Sequence, residues 1–582
     1  MATNAASNGV TAVGDSSERS AEERIMVERV IGVLNNDEGL NDGAAHTGPA
    51  KQAYIRTATI CGVDARLVTV EISVGRGMPG TFIVGMPDTA VQEAKLRVRT
   101  ALRAAGFDVP LRVVVNLAPS SLRKNGSGFD LPIALGILVA TGQIPCSAVE
   151  DRLCVGELSL DGSVRPVSGF LAYEKLAVAN GLGLLTAPVE RGVYSDKPEA
   201  GRGRGHDHVC LRHLSDIATG NLSGPYPRSM SKDTHELDFS EIAGNDAAKR
   251  ALQISAAGQH AIMMIGPPGS GKSMMAARLP TILPLLSNEK RLESALIHSV
   301  AGLPFEDILK GRQPFRAPHH SASPAGLLGG GSPPAPGEVS LAHNGVLFLD
   351  EMPEFGSSVL QMLRQPIETG TVSLARAKVT TVFPARFLLV AAANPCPCGY
   401  FGDAEHTCKC TQARIEQYQN RIGGPLMDRF DLVVHVWRSP PSEVLATGSG
   451  TSSKKLRDEV CGALEFRAAR KARGARRGAH DGGPGAARFE ALGHTSKNTS
   501  MLAVNAEEFM GRGELLLSEC GLGTAEHAFL EEAATKYKLS GRGIMRALSV
   551  ARTIADLEAK ARVSSDHLLE AIGFRTDGGE DI

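Results

Sequence analysis

The sequence predicts a multidomain α/β protein: an α+β domain first, a core on a parallel sheet next, and a helical lid at the C-terminus. Three observations carry that reading. Over residues 51–222, β-branched runs such as "LVTVEISV", "RVVVNLAP" and "LCVGELSL" alternate with helix-like stretches, the pattern of an α+β domain. Over residues 238–440, the short apolar strands "AIMMI", "VLFLD" and "FLLVAAAN" alternate with helices, which implies a parallel sheet covered on both faces. Over residues 501–582 only helical periodicity remains, clearest in "IMRALSVARTIADLEAKA".

The segments between these blocks follow from composition. Residues 1–50 are rich in Ala, Asn, Gly, Ser and acid, so they bury too little apolar surface to offset their ordering entropy and are expected to be a disordered tail. "GNLSGPYPRSMSKDTHELD" gathers Gly, Pro and Ser and reads as a linker centred on residues 223–237. Residues 441–500 include "RAARKARGARRGAHDGGPGAA" and are expected to be a flexible Arg-, Gly- and Ala-rich segment. The basic run from Arg467 to Arg477 is either a salt-sensitive DNA contact or the solvated face of a helix.

With 582 residues, 42% of them hydrophobic, the chain can bury several cores. Its formal net charge is -1, so a nucleic-acid partner must be held by a local basic surface. Six scattered cysteines (Cys61, Cys146, Cys154, Cys210, Cys461, Cys520) and an N-terminus without an apolar core fit a reduced, cytoplasmic chain. No apolar run reaches the roughly 18 residues that a membrane span needs.

"GPPGSGKS" carries the clearest chemistry: Gly266, Pro267, Pro268, Gly269, Ser270, Gly271, Lys272 and Ser273. Its glycines let backbone N–H groups curl around phosphate oxygens, Lys272 reaches the β and γ phosphates of ATP, and Ser273 holds magnesium. "VLFLDE" places Asp350 to orient the magnesium shell and Glu351 to polarise a water. Asn394 ends the next apolar strand and suits a γ-phosphate contact, although Asn-Pro is also a common turn.

The order of "IGPPGSGKS", "PFRAPHHSASPAGLLGGG", "PGEVSLAHNGVLFLDEMPEF", "NPCPCGYFGD", "PLMDRFDL" and "LSGRGIMRALSVARTIADLE" resembles the bacterial magnesium-chelatase-like AAA+ proteins of the ComM and YifB type. The likeness runs from about Ala53 to the C-terminus. It implies a P-loop ATPase assembled as a homo-oligomeric ring, usually a hexamer, with ATP between subunits. On that pattern Arg429 matches the finger that reaches a neighbour's nucleotide, with Arg421 in reserve, and Arg542 matches a lid arginine over the chain's own nucleotide, with Arg546 as its rival.

The family also resembles MCM helicases in carrying two inserts aimed at a pore. "TVSLARAKVTTVF" reads as a hairpin with Arg376 and Lys378 near its tip, and "PFRAPHHSAS" offers Arg316, His319 and His320. Such cations can follow a DNA backbone without reading bases; the plainer readings are a solvated hairpin and a structural or metal role for the histidines. Cys396, Cys398, Cys408 and Cys410 supply four soft ligands within one loop, which suits a structural zinc. His406 is a possible substitute ligand, and four reduced thiols are the alternative.

The first domain resembles the proteolytic domain of Lon through "NGSGFDLPIALGILVATGQI" and "VGELSLDGSVRPVSGF". Where Lon has its serine this chain has Gly128, with Ser127 one place early. The expected lysine falls near Ala172 or Tyr173, and Lys175 lies further on. The departure argues for a remnant fold without peptidase activity. The reading as a whole is an ATP-driven ring motor on single-stranded or branched DNA, acting in recombination and natural transformation. The alternatives are a magnesium-chelatase-type motor, a nucleotide-gated scaffold and, least favoured, a Lon-like peptidase.

Overall fold

The computed structural model describes residues 51–75, 77–190, 207–226, 237–376, 379–403, 405–421, 424–445, 450–480 and 506–576. The tail expected over residues 1–50 lies outside them, as do Lys378 and most of the expected linker.

The first domain is a seven-stranded mixed sheet. Its order is Gly80–Val84, Arg112–Ala118, Asp64–Gly75, Lys51–Cys61, Arg152–Val155, Gly183–Thr186, His208–Cys210. Period-2 burial sets the faces: Val68, Val70 and Ile72 point inward, and so do Val113, Val115 and Leu117 on the antiparallel neighbour. The helix Asp130–Ala140 is apolar on nearly every side and buried along its length, as a helix inside a core must be. Its one carboxylate, Asp130, is met by Arg97 at 2.7 Å.

The second domain is a five-stranded parallel sheet in the order Phe315–Arg316, Val346–Leu349, Leu388–Ala393, Ile262–Ile265, Leu432–His435. The strands Val346–Leu349 and Leu388–Ala393 are buried at every residue, because helices and loops cover both faces. The two domains share apolar packing: Leu171, Ala172 and Ala177 of the first cluster with Leu286, Ala295, Leu296 and Ile308 of the second. A backbone bond from Gly169 N–H to the Ser299 carbonyl, 2.7 Å, lies at the same seam.

The C-terminal region is helical, with Ala506–Cys520, Thr524–Lys536, Gly541–Leu557 and Ser565–Thr576. One expectation changes here. Within the segment expected to be flexible, Ser453–His480 is a continuous helix, and its inner face reaches the core through Leu456, Val460 and Ala463. The reason is tertiary. Arg467 and Arg470 pair with Asp556 at 3.1 and 3.2 Å, and Arg470 also pairs with Glu519 at 3.2 Å. At those two positions the basic run braces the helical region and is not a solvated face. Among the described residues no helix is long and apolar enough to cross a membrane.

Candidate functional site

In a parallel sheet the carboxyl ends of all strands lie on one edge, and ligands gather there. Register decides what meets. Ile265 pairs with Ala393 and with His435, while Leu349 pairs with Ala391. The next residues of these strands are therefore neighbours: the glycine loop from Gly266, Asp350 and Glu351, Asn394, and Val436 to Arg438.

The loop needs its glycines. Gly271 has φ +90°, and a Cβ on Gly266 would lie 2.0 Å from the Val436 carbonyl oxygen. The helix Lys272–Arg278 follows directly. Lys272 is only 8% exposed, and its ammonium donates to the carbonyls of Gly266 at 2.7 Å and Pro267 at 2.9 Å. It also reaches Ser270 Oγ and Asn394 Oδ1, each at 3.4 Å. Burial pulls its pKa down to about 8, against the pull of Asp350 and Glu351. A desolvated cation held by neutral oxygens is ready for an anion.

Ser273 Oγ donates to Asp350 Oδ2 at 2.6 Å, so the two oxygen ligands suited to magnesium stand side by side. Glu351 takes a left-handed backbone, φ +49°, uncommon for a residue with a side chain and concentrated at functional sites. Its backbone N–H donates to Asp350 Oδ1 at 3.0 Å. The hydroxyl and carboxylate fit a magnesium–triphosphate group by donor chemistry as well as by position.

Three family models match in succession: the ChlI subunit of magnesium chelatase over residues 70–190, magnesium chelatase subunit ChlI over 238–444, and the ChlI C-terminal region over 450–575. The uncharacterized protein YifB of Salmonella typhimurium is 37% identical over 532 residues, covering 90% of this chain and 97% of its own. The chain belongs to the magnesium-chelatase ChlI-like family. The competence protein ComM of Haemophilus influenzae is equally similar, 37% over 535 residues with the same coverage. The magnesium-chelatase 67 kDa subunit of Chlorobaculum parvum is 28% identical over 161 residues, only 27% of this chain and 23% of that one. Residues 238–444 are thus a ChlI-family AAA ATPase domain.

Within this ChlI-like chain the arginines differ in their freedom. Arg429 is paired with Glu368, and its Nε is buried without a partner. Arg421 is exposed, 3.4 Å from Glu354 and over the Tyr418 ring at 5.8 Å. Arg542 is exposed near the start of Gly541–Leu557, whereas Arg546 is held by Asp431 at 3.6 Å and by the Phe430 carbonyl at 3.3 Å. Of that pair, Arg542 is the one left open to solvent.

The residues expected on DNA divide. Thr371–Arg376 and Val379–Pro384 pair as the expected antiparallel hairpin. Arg316 departs from expectation: Glu338 binds its guanidinium twice, at 2.6 and 2.7 Å, and a cation so neutralised has little left for phosphate. His320 Nδ1 lies 3.5 Å from Glu351 Oε2, and the His319 ring stands 4.1 Å from that of His320. His320, with His319 against it, therefore borders Glu351.

Cys396, Cys398 and Cys408 place their sulfurs 3.4, 3.6 and 3.7 Å apart, and with Cys410 all four lie within 4.8 Å of one another. A tetrahedral zinc with Zn–S of about 2.3 Å sets sulfurs about 3.8 Å apart, so the donor set fits. The Cys410 backbone N–H donates to Cys408 Sγ at 3.4 Å, as N–H groups do toward metal thiolates. His406 is turned instead to Asp403, Tyr400 and Arg438.

In the first domain, a Cβ on Gly128 would sit 3.3 Å from Val155 and 3.7 Å from the Tyr173 hydroxyl. Ser127 donates to Glu157, while Lys175 pairs with Asp64 at 2.7 Å. The serine and lysine each have another partner.

Sequence reasoning missed Arg438, whose Nε and Nη2 reach the Pro268 carbonyl of the glycine loop at 3.3 and 3.1 Å. The available signal was its place just beyond the strand Leu432–His435.

Proposed function

We propose that the chain is an ATP-hydrolysing ring motor acting on single-stranded or branched DNA, with branch migration as its work. The observation that carries the hydrolytic part is the convergence of Lys272, Ser273, Asp350, Glu351 and Asn394 on one sheet edge. In this reading Lys272 neutralises the β and γ phosphates, Ser273 and Asp350 hold magnesium, and Glu351 takes the proton of the attacking water. Asn394 orients that water or the γ phosphate, and Arg542 closes over the nucleotide from the lid. Arg429 leaves Glu368 to serve the next subunit, so ring closure and turnover are linked. Magnesium supplies charge neutralisation at the phosphates when bound.

The DNA part is supported by the competence protein among the relatives and by the antiparallel hairpin of Thr371–Arg376 with Val379–Pro384. Arg376, Lys378, His319 and His320 are the proposed DNA contacts, His320 linking strand contact to Glu351. The first domain is proposed as a Lon-type fold that has lost its nucleophile at Gly128 and serves assembly or DNA contact. The cysteine loop is proposed to hold one structural zinc.

Purified protein should form a closed ring, hydrolyse ATP faster with DNA, and displace strands from forked or four-way junctions. Turnover indifferent to DNA, with no strand displacement, rejects the motor. The three ChlI family matches favour a second reading, a chelatase-type motor, and that outcome would leave it standing.

A further inference from the structure

The cysteine loop touches the phosphate loop. Residues 396–410 contain neither helix nor strand among those described; they are folded by turn bonds such as Gly399 N–H to the Cys396 carbonyl, 2.9 Å, and Asp403 N–H to the Tyr400 carbonyl, 3.2 Å. Gly399 has φ +84° and stands so close to Pro268 that a Cβ there would meet its Cδ at 2.6 Å. Arg438 spans both loops. Two of its nitrogens donate to the Pro268 carbonyl, and the third lies 3.2 Å from His406 Nδ1. Tyr400 stacks on His406 at 4.8 Å and carries the Arg438 guanidinium on its ring at 5.7 Å. On the inner side, Asn394, two residues before Cys396, accepts from Lys272.

A loop held by turn bonds alone has many accessible shapes, and a tie among distant residues removes most of them. Here the tied residues bracket Gly399, Tyr400 and His406, which are the groups that clamp Pro268 and seat Arg438.

We propose that metal occupancy at Cys396, Cys398, Cys408 and Cys410 sets the nucleotide affinity of the same chain, through a clamp made by Gly399, Tyr400, His406 and Arg438 on Pro268. The inference rests on reading the glycine loop as the ATP site and the cysteines as a zinc site. Loss of the tie lets Tyr400 and His406 drift, Arg438 loses its seat, and the phosphate loop is no longer held in its nest of N–H groups. Coupling of this kind is reciprocal, so bound nucleotide must retain the metal by the same factor.

The test uses the full chain. Zinc is counted by elemental analysis, ADP affinity is measured before and after zinc removal by a chelator, and zinc affinity is measured with and without ADP. Zinc removal should weaken ADP binding about tenfold, and ADP should tighten zinc by the same factor. Arg438→Ala should keep its zinc and lose most of that coupling, which separates the clamp from general unfolding. Equal ADP affinity with and without zinc overturns the proposal, as does coupling undiminished in Arg438→Ala. A chain that takes up no zinc overturns it together with the zinc reading alone, and a zinc-bearing chain that binds no ADP overturns it together with the ATP reading.

Discussion

Lys272 and the arginines around Asp556 are two ways of burying positive charge. Lys272 faces carbonyls, a hydroxyl and an amide, with Asp350 and Glu351 near but not paired to it, and its pKa falls to about 8. Asp556, 1% exposed, is met by Arg467, Arg470 and Arg552 at 3.1, 3.2 and 3.0 Å. The first arrangement keeps a cation without an ion-pair partner and is poised for an anion from outside; the second commits its arginines to internal carboxylates and gains only order. Uncompensated burial marks the site where a ligand is to arrive.

Substitutions should therefore separate the two regions. The largest effect is expected from Lys272→Ala or Glu351→Gln. Each should lower ATP turnover by at least ~10² to 10⁴ with little loss of thermal stability, Glu351→Gln retaining nucleotide binding; a melting temperature that falls along with turnover would erase the contrast. Asp556→Ala should do the reverse. It leaves Arg467 and Arg552 without a carboxylate and Arg470 with Glu519 alone, and should destabilise by about 3–5 kcal/mol in denaturant titration.

The pH dependence is the next sharpening. Because the folded-state pKa of Lys272 lies below its ordinary 10.5, the native chain binds fewer protons than the unfolded one between about pH 8 and 10.5. This group's contribution makes stability rise with pH through that window. Bound ADP should flatten the rise by returning the pKa upward, and Lys272→Met should abolish it; melting curves across the window, with and without ADP, read both. The smallest effect is expected from Arg467→Gln, which should leave DNA affinity and its salt slope unchanged in filter binding, since that guanidinium belongs to Asp556.

Much of the candidate site was legible because it is local. "GPPGSGKS", "VLFLDE" and "AAAN" each carry their chemistry within a few residues, and a parallel sheet delivers the ends of its strands to one edge. The hairpin was legible for the same reason, two β-rich runs close together in the chain. The basic run from Arg467 was not. Its partners, Glu519 and Asp556, lie roughly 50 and 90 residues away, and nothing in the run itself distinguishes a brace from a DNA patch. Arg316 also has a partner that its own segment does not reveal, Glu338, 22 residues further on.

The sequence alone determined the order of domains, the glycine loop with its acidic strand end, and a four-cysteine loop, since backbone freedom, apolar periodicity and ligand softness act over short spans of chain. Tertiary structure decided which cations are spent on internal carboxylates, that His320 borders Glu351, and that the cysteine loop rests on Pro268 through Gly399 and Arg438. Those outcomes depend on through-space distances of a few ångströms between residues far apart in the chain, where Coulomb and contact energies act and sequence spacing carries no record of them.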